Sequence, residues 1–368
     1  MKIKRITSMF LALVLLFTTN QTVLAVNVNS NDSTSIQQLY ILSKQCPEQY
    51  IDYAKEIVGD ILAGYNLSNA SLGRPFTFSS QKSDIYYFPI YSNHKIVLTF
   101  RVYLGSTGEL TGVVSPFLAE DLNEIAKMTT ISNPLRITFE GKDSDSSSVI
   151  FKLANDKKEV FTIPVSTEID TTYTISAESE LETVNCVPFD QIQLAPSSRT
   201  SKILPMSISE TQGANNWCLA YATAMVLRYR GVNKNALNVM IENYGVEGED
   251  FTDRTVFDFH KLRSYMNTRY NIHTKESERW PDYNSFYTKL VSEINNNRPL
   301  ILAMNDLAAI SGHALVALGY EDVRGTVTIW NPWNPFFETV IDLNNYIVER
   351  PDRVVFHYSL ALYWYNNY

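Results

Sequence analysis

The spacing of apolar positions changes character along the N-terminal half. Between residues 27 and 66, Ile36, Leu39 and Leu42, then, beyond Pro47, Tyr50, Tyr53, Ile57, Ile61 and Leu62 recur at intervals of three or four, which predicts two short amphipathic helices. From about 84 to 176 the pattern becomes short β-branched and aromatic runs: Ile85-Tyr86-Tyr87-Phe88, Ile96-Val97-Leu98-Thr99-Phe100, Val149-Ile150-Phe151 and Val160-Phe161-Thr162-Ile163. These predict antiparallel strands. Turn-forming stretches such as Gly105-Ser106-Thr107-Gly108 and the polar run from Gly141 to Ser148 separate them, and no internal repeat is present.

Between about 190 and 211 the pattern lapses. Ala195-Pro196-Ser197-Ser198-Arg199-Thr200-Ser201-Lys202 is small, polar and suited to proteolytic access, which marks it as a linker. Beyond it, a helix is expected at 217–230, further helices near 253–266 and 283–297, and strands at 299–304, 313–318 and 326–330. Alternating Leu360, Leu362 and Trp364 suit a last strand. Helices followed by strands is an α+β order.

The opening residues resemble a signal peptide. Lys2, Lys4 and Arg5 precede the apolar run from Met9 to Phe17, and Val23-Leu24-Ala25 offers small residues for cleavage after Ala25. The run is too short for a membrane anchor, so the expected product is secreted and soluble. A 368-residue chain with 45% hydrophobic content has enough material for one to three domains. Its net charge of −8 argues against nucleic acid as a partner. Three cysteines, Cys46, Cys186 and Cys218, are too few for a disulfide framework; Cys46 and Cys186 either pair or both stay free.

One cysteine has a setting suited to chemistry. Cys218 opens a helix-compatible run, Trp217-Cys218-Leu219-Ala220-Tyr221-Ala222. A helix N-terminus and a nearby imidazolium both favour thiolate over thiol, and the thiolate is the nucleophile. Gln212 is a neutral amide donor able to meet the oxyanion of a tetrahedral intermediate, beside the Cys218 backbone N–H. His313 follows Ser311-Gly312 at the start of an apolar strand, where a fixed backbone suits a general base. Asn331 follows the next strand, in Ile329-Trp330-Asn331-Pro332-Trp333, where its amide oxygen suits the second ring N–H of that histidine, with Trp333 as a shield against water.

Gln212 and Cys218, Gly312-His313-Ala314, and Asn331 with Trp333 together resemble the papain-like cysteine proteases in order and spacing. The wording Glu210-Thr211-Gln212-Gly213, Trp217-Cys218 and Ile329-Trp330-Asn331-Pro332-Trp333 is similar to that of the staphopains, secreted bacterial proteases. The clear likeness covers about 208–335. The resemblance implies a two-lobed, papain-like α+β catalytic domain over 196–368, helical on one side and β-rich on the other. It also implies a largely β propeptide over 26–195 that holds the enzyme latent as an intramolecular inhibitor, with the boundary inside 190–205, after a signal peptide over 1–25. Cys218, His313 and Asn331 are the implied triad, Gln212 the oxyanion donor, and Trp217 and Trp333 supporting residues. Protein or peptide substrates are expected, with no metal or organic cofactor, and a small cytoplasmic inhibitor protein guarding the producing cell is a further implied partner.

Each residue also has a plainer reading alone: Cys218 as a small buried hydrophobe, His313 as a core histidine, Asn331-Pro332 as a turn starter. Their joint order favours catalysis. Two rival functions remain: a cell-wall amidase or acyltransferase on a related Cys-His scaffold, and a secreted binding protein that keeps an inactive protease fold. His94, His260, His273 and His357 lack partners at metal-ligand spacing and are expected to be surface or core residues.

Overall fold

The computed structural model describes residues 38–65, 67, 69–78, 85–105, 108–143, 146–155, 159–165, 180–194, 201–213, 215–244, 259–276, 283–306, 312–321, 324–343, 346–350 and 353–365. The proposed signal peptide and most of the proposed linker lie outside them. The N-terminal half runs β1 (Tyr40–Ser43), α1 (Glu48–Ile61), β2 (Ser71–Gly73), β3 (Tyr86–Ser92), β4 (Lys95–Leu104), β5 (Leu110–Ser115), α2 (Ala119–Ala126), β6 (Leu135–Asp143), β7 (Ser146–Leu153), β8 (Glu159–Val165), β9 (Glu182–Asn185) and β10 (Pro188–Gln191). The C-terminal half continues with β11 (Ser201–Ile203), α3 (Cys218–Tyr229), α4 (Ala236–Tyr244), α5 (Phe259–Tyr270), β12 (Thr274–Glu276), α6 (Tyr283–Asn295), β13 (Leu300–Asp306), β14 (Gly312–Glu321), β15 (Thr326–Trp330), β16 (Phe337–Val340), β17 (Ile347–Arg350) and β18 (Arg353–Tyr365). The architecture is α+β.

Two sheets organise the chain. The smaller has the order β8-β7-β6-β1-β9, and the larger runs β10-β2-β3-β4-β5-β16-β15-β14-β13-β18-β12, with β11 added on β14 and β17 on β18. The larger sheet crosses from one half to the other where β5 pairs antiparallel with β16, Val114 opposite Thr339 and Val113 opposite Val340. β11 approaches β14 closely at Gly319, where a Cβ would lie 2.8 Å from the Ile203 side chain and 3.0 Å from the Lys202 carbonyl.

Strand alternation in β3 to β5 sorts side chains onto two faces. Phe88, Ile90, Leu98, Phe100, Val102 and Val114 pack under α1, against Tyr50, Ala54, Ile57 and Val58. On the opposite face, Tyr87, Tyr103 and Val113 join α2 and the small sheet's Ile41, Leu135 and Phe151 in a buried cluster that also takes in α3, α4 and β13 to β15. The two halves therefore share a core as well as a sheet. Trp330, the largest fully buried side chain among the described residues, lies in that shared core, where truncation to alanine would cost about 3–5 kcal/mol.

Two local expectations need correction. The first of the two N-terminal helices is a strand: Tyr40–Ser43 pairs with β9 and touches β6, alternately buried and half-buried. A three-residue spacing of Leu39 and Leu42 fits either state over so short a run, and the sheet's hydrogen bonds decide it. Inside the strand-rich stretch, Ala119–Ala126 forms a helix, its Ala119, Leu122, Ile125 and Ala126 buried at helical spacing. Among the described residues no helix is long and apolar enough to cross a membrane.

Candidate active site

Helix α3 is buried on nearly all sides, with Leu219, Ala220, Ala222, Ala224, Met225, Val226 and Leu227 in the core, and it packs on β14 and α4. Small residues permit that close approach. Its first residue is Cys218, 5% exposed. The chain enters the helix through a polar turn in which Asn215 Oδ1 accepts the Trp217 backbone N–H at 3.3 Å, the kind of local side-chain bond that turns the backbone before a helix. Trp217 is buried beside it.

Strand β14 carries His313 opposite Met304 of β13. β15 pairs with β14 so that Trp330 faces Val316, and the next residue, Asn331, continues that register to the position of Leu315. Leu315 lies two residues from His313, so all three side chains share one face of the sheet. There His313 Nε2 and Asn331 Oδ1 are 2.9 Å apart, both residues being 2% exposed. The Trp333 backbone N–H also donates to Asn331 Oδ1, at 3.2 Å. An atom that receives a backbone N–H is the amide's oxygen, so the ring nitrogen facing it is the protonated one. In the neutral ring, Nδ1 is then left as the base.

Trp333 stacks on the His313 ring with centroids 3.9 Å apart and planes within 14°. The turn Asn331-Pro332-Trp333-Asn334 is closed by Asn334 N–H to Asn331 O at 2.8 Å and braced by Trp330 Nε1–H to Asn334 O at 2.8 Å. Gln212 is buried, and its backbone N–H donates to Pro332 O at 2.7 Å. Its side-chain Nε2 donates one hydrogen to the Asn215 carbonyl, while Oε1 is buried with no partner among the described residues. A primary amide has two N–H bonds, so one remains for another acceptor.

The other thiols are in different settings. Cys46 and Cys186 are not bridged. Burial, with a smaller contribution from the Glu48 charge, pushes the Cys46 thiol up to about 12, and burial alone raises that of fully buried Cys186. Neither is poised to ionise. Among the described residues no group of three His, Cys, Asp or Glu side chains is placed to hold a metal ion.

A family model described as "Peptidase_C39 like family" matches residues 201–349, which contain Cys218, His313 and Asn331. Staphopain B of Staphylococcus aureus is 23% identical over 342 residues, covering 82% of this chain and 83% of its own length. Staphopain A of Staphylococcus aureus (strain MSSA476) is 24% identical over 382 aligned positions, covering 93% and 92%. The chain is a staphopain-like cysteine protease. An extracellular cysteine protease of Staphylococcus epidermidis (strain ATCC 12228 / FDA PCI 1200) is 22% identical over 330 residues, covering 79% of this chain and 78% of its own. The staphopain likeness thus runs well beyond the segment matched by the family model and into the N-terminal half.

In this staphopain-like chain, the sequence brings forward Gln212, Cys218, His313, Asn331 and Trp333 but gives no role to Glu210. The Glu210 carboxylate binds the Arg228 guanidinium at the end of α3 and accepts the Ala236 N–H, 3.1 Å from each oxygen, at the start of α4. Glu210 therefore ties both helices to the segment that carries Gln212. Its position in Glu210-Thr211-Gln212-Gly213 was the only available signal, because the ion pair depends on how α3 folds back.

Proposed function

We propose that the protein is a secreted cysteine endopeptidase, made as a latent zymogen, that cleaves extracellular proteins with Cys218 as nucleophile, His313 as acid and base, Asn331 as orienter and Gln212 as oxyanion donor. The observation that carries this reading is the double hold on Asn331 Oδ1 by the His313 ring and the Trp333 backbone, which fixes the ring proton on Nε2 and makes Nδ1 the basic nitrogen.

The steps follow from the chemistry of these groups. The dipole of α3 and a protonated His313 favour the Cys218 thiolate, which attacks the peptide carbonyl carbon. The negative oxygen that forms is met by the second Gln212 N–H and the Cys218 backbone N–H. His313 Nδ1 delivers its proton to the amine as the C–N bond breaks, leaving an acyl-enzyme. It then takes a proton from water, whose hydroxide releases the acid and the thiolate. Asn331 accepts the Nε2–H throughout, and Trp333 excludes water from that bond.

In this reading, residues 26–195 are the propeptide and 196–368 a two-lobed papain-like domain, with the boundary inside 190–205. Latency is supported by the low exposure of Cys218 and His313 in the full chain and by the core shared between the halves. Secretion rests on the signal-peptide pattern and on relatives such as the one named as extracellular. A small cytoplasmic inhibitor protein is the partner that the staphopain likeness suggests for the producing cell.

The test compares the processed protein with its Cys218→Ala variant on unfolded casein and on purified peptidoglycan. Casein cleavage that disappears with Cys218, with peptidoglycan untouched, supports the endopeptidase. Peptidoglycan cleavage with casein intact assigns the amidase instead.

A further inference from the structure

The seam between the halves is built from residues on either side of the connecting segment 195–200. β5 completes the larger sheet by adding to β16, and beyond the two paired positions Ile341 N–H donates to Gly112 O at 3.3 Å. Without β5, β16 would present an open sheet edge with unpaired N–H and C=O groups. The seam has further contacts on both sides of that ladder. Tyr65 OH and Thr339 Oγ1 form a buried 2.9 Å hydrogen bond, and half-buried Ile341 packs into the N-terminal cluster under α1. Phe117 and Phe336 meet with ring centroids 5.9 Å apart, three residues beyond Trp333. At the outer margin Arg324 of the C-terminal half pairs with Asp60 at 2.8 Å and Glu56 at 3.7 Å on α1.

Resting on the zymogen reading above, we infer that β16 is a strand-addition dock for residues 38–194, and that cutting the connection leaves a latent two-chain complex rather than free enzyme. The seam combines main-chain hydrogen bonds, buried apolar contact and a charged margin, the same combination by which proteins capture an extended strand in trans. None of these contacts involves residues 195–200. Activity then requires a second event that removes or destroys the N-terminal chain after the first cut.

The experiment places a recognition sequence for a site-specific protease between residues 194 and 201 of the full chain carrying Cys218→Ala. After complete cutting, gel filtration at micromolar concentration reads the association of the two pieces. Co-elution is expected, and immediate separation of two folded pieces overturns the inference. A second form adds Tyr65→Phe and Arg324→Glu, which removes the buried hydroxyl contact and sets a carboxylate against Asp60 and Glu56. Its pieces are expected to dissociate at least roughly tenfold more readily, and unchanged dissociation would place the attachment elsewhere. The same cut made with Cys218 intact separates this inference from the protease reading. Casein hydrolysis that stays low after the cut and rises when the N-terminal chain is stripped off supports both. Full hydrolysis at once overturns the dock alone, and none after stripping overturns the protease reading alone.

Discussion

The backbone N–H of Gln212 donates to the carbonyl of Pro332 at 2.7 Å, joining the segment that leads to Cys218 with the turn that holds Asn331 and Trp333. Because this bond uses the main chain, replacing the Gln212 side chain leaves it in place. Gln212→Ala is expected to lower kcat by on the order of 10²–10³ with little change in melting temperature. Steady-state kinetics beside a thermal melt checks this; a matching loss of stability would mean that the amide is structural.

Trp333 covers the His313 ring at 3.9 Å and also supplies a backbone N–H to Asn331. Trp333→Ala keeps the backbone donor but frees the ring to tilt and admits water to the Nε2–Oδ1 bond. The expected loss in kcat/KM is on the order of 10²-fold, with the larger part restored by Trp333→Phe. Equal activity of the alanine and phenylalanine variants would count against a shielding role.

Most residues of the candidate site stand out in the sequence, and less of the fold does. His313 and Asn331 could be read because each ends or begins a strongly apolar strand and because the Cys-His-Asn order is chemically distinctive. The helix Ala119–Ala126 was hidden within strand-like surroundings, and Tyr40–Ser43 was too short for its period to separate strand from helix. The β5–β16 seam had no local signal at all, since pairing of Val113 and Val114 with Thr339 and Val340 depends on chain far apart in sequence. Glu210 was visible only as part of a shared phrase, and its clamp on Arg228 and Ala236 is a product of folding.

Glu210→Ala removes the partner of the Arg228 guanidinium and the acceptor for the Ala236 N–H together. A destabilisation of about 1–3 kcal/mol is expected from the lost cap and ion pair, read as a fall in denaturant midpoint. Glu210→Gln keeps an acceptor for Ala236 and is expected to recover part of it. A midpoint unaffected by either change would remove Glu210 from the supporting frame.

Glu242 gives the C-terminal half an acid-sensitive point. Partial burial raises its pKa, but hydrogen bonds from Lys234 at 2.6 Å, Tyr270 at 2.5 Å and Tyr265 at 3.0 Å outweigh that and hold it at about 2, below the usual 4.5. A carboxyl whose pKa is lower folded than unfolded binds fewer protons in the native state. Its stabilisation is therefore present above about 4.5 and is lost as pH falls through that value toward 2. Glu242→Gln is expected to lower stability at neutral pH and to flatten its decline across this window, as followed by urea denaturation at successive pH values. An identical acid slope in both proteins would contradict the assignment.

The most direct test of the central claim is mass spectrometry of the processed protein, freed of its N-terminal chain, after treatment with a thiol-directed epoxide, with casein hydrolysis followed in the same sample. One adduct is expected, on the peptide containing Cys218, forming in step with the loss of hydrolysis while Cys46 and Cys186 stay unmodified wherever they are retained. Hydrolysis that continues with Cys218 fully modified would contradict it.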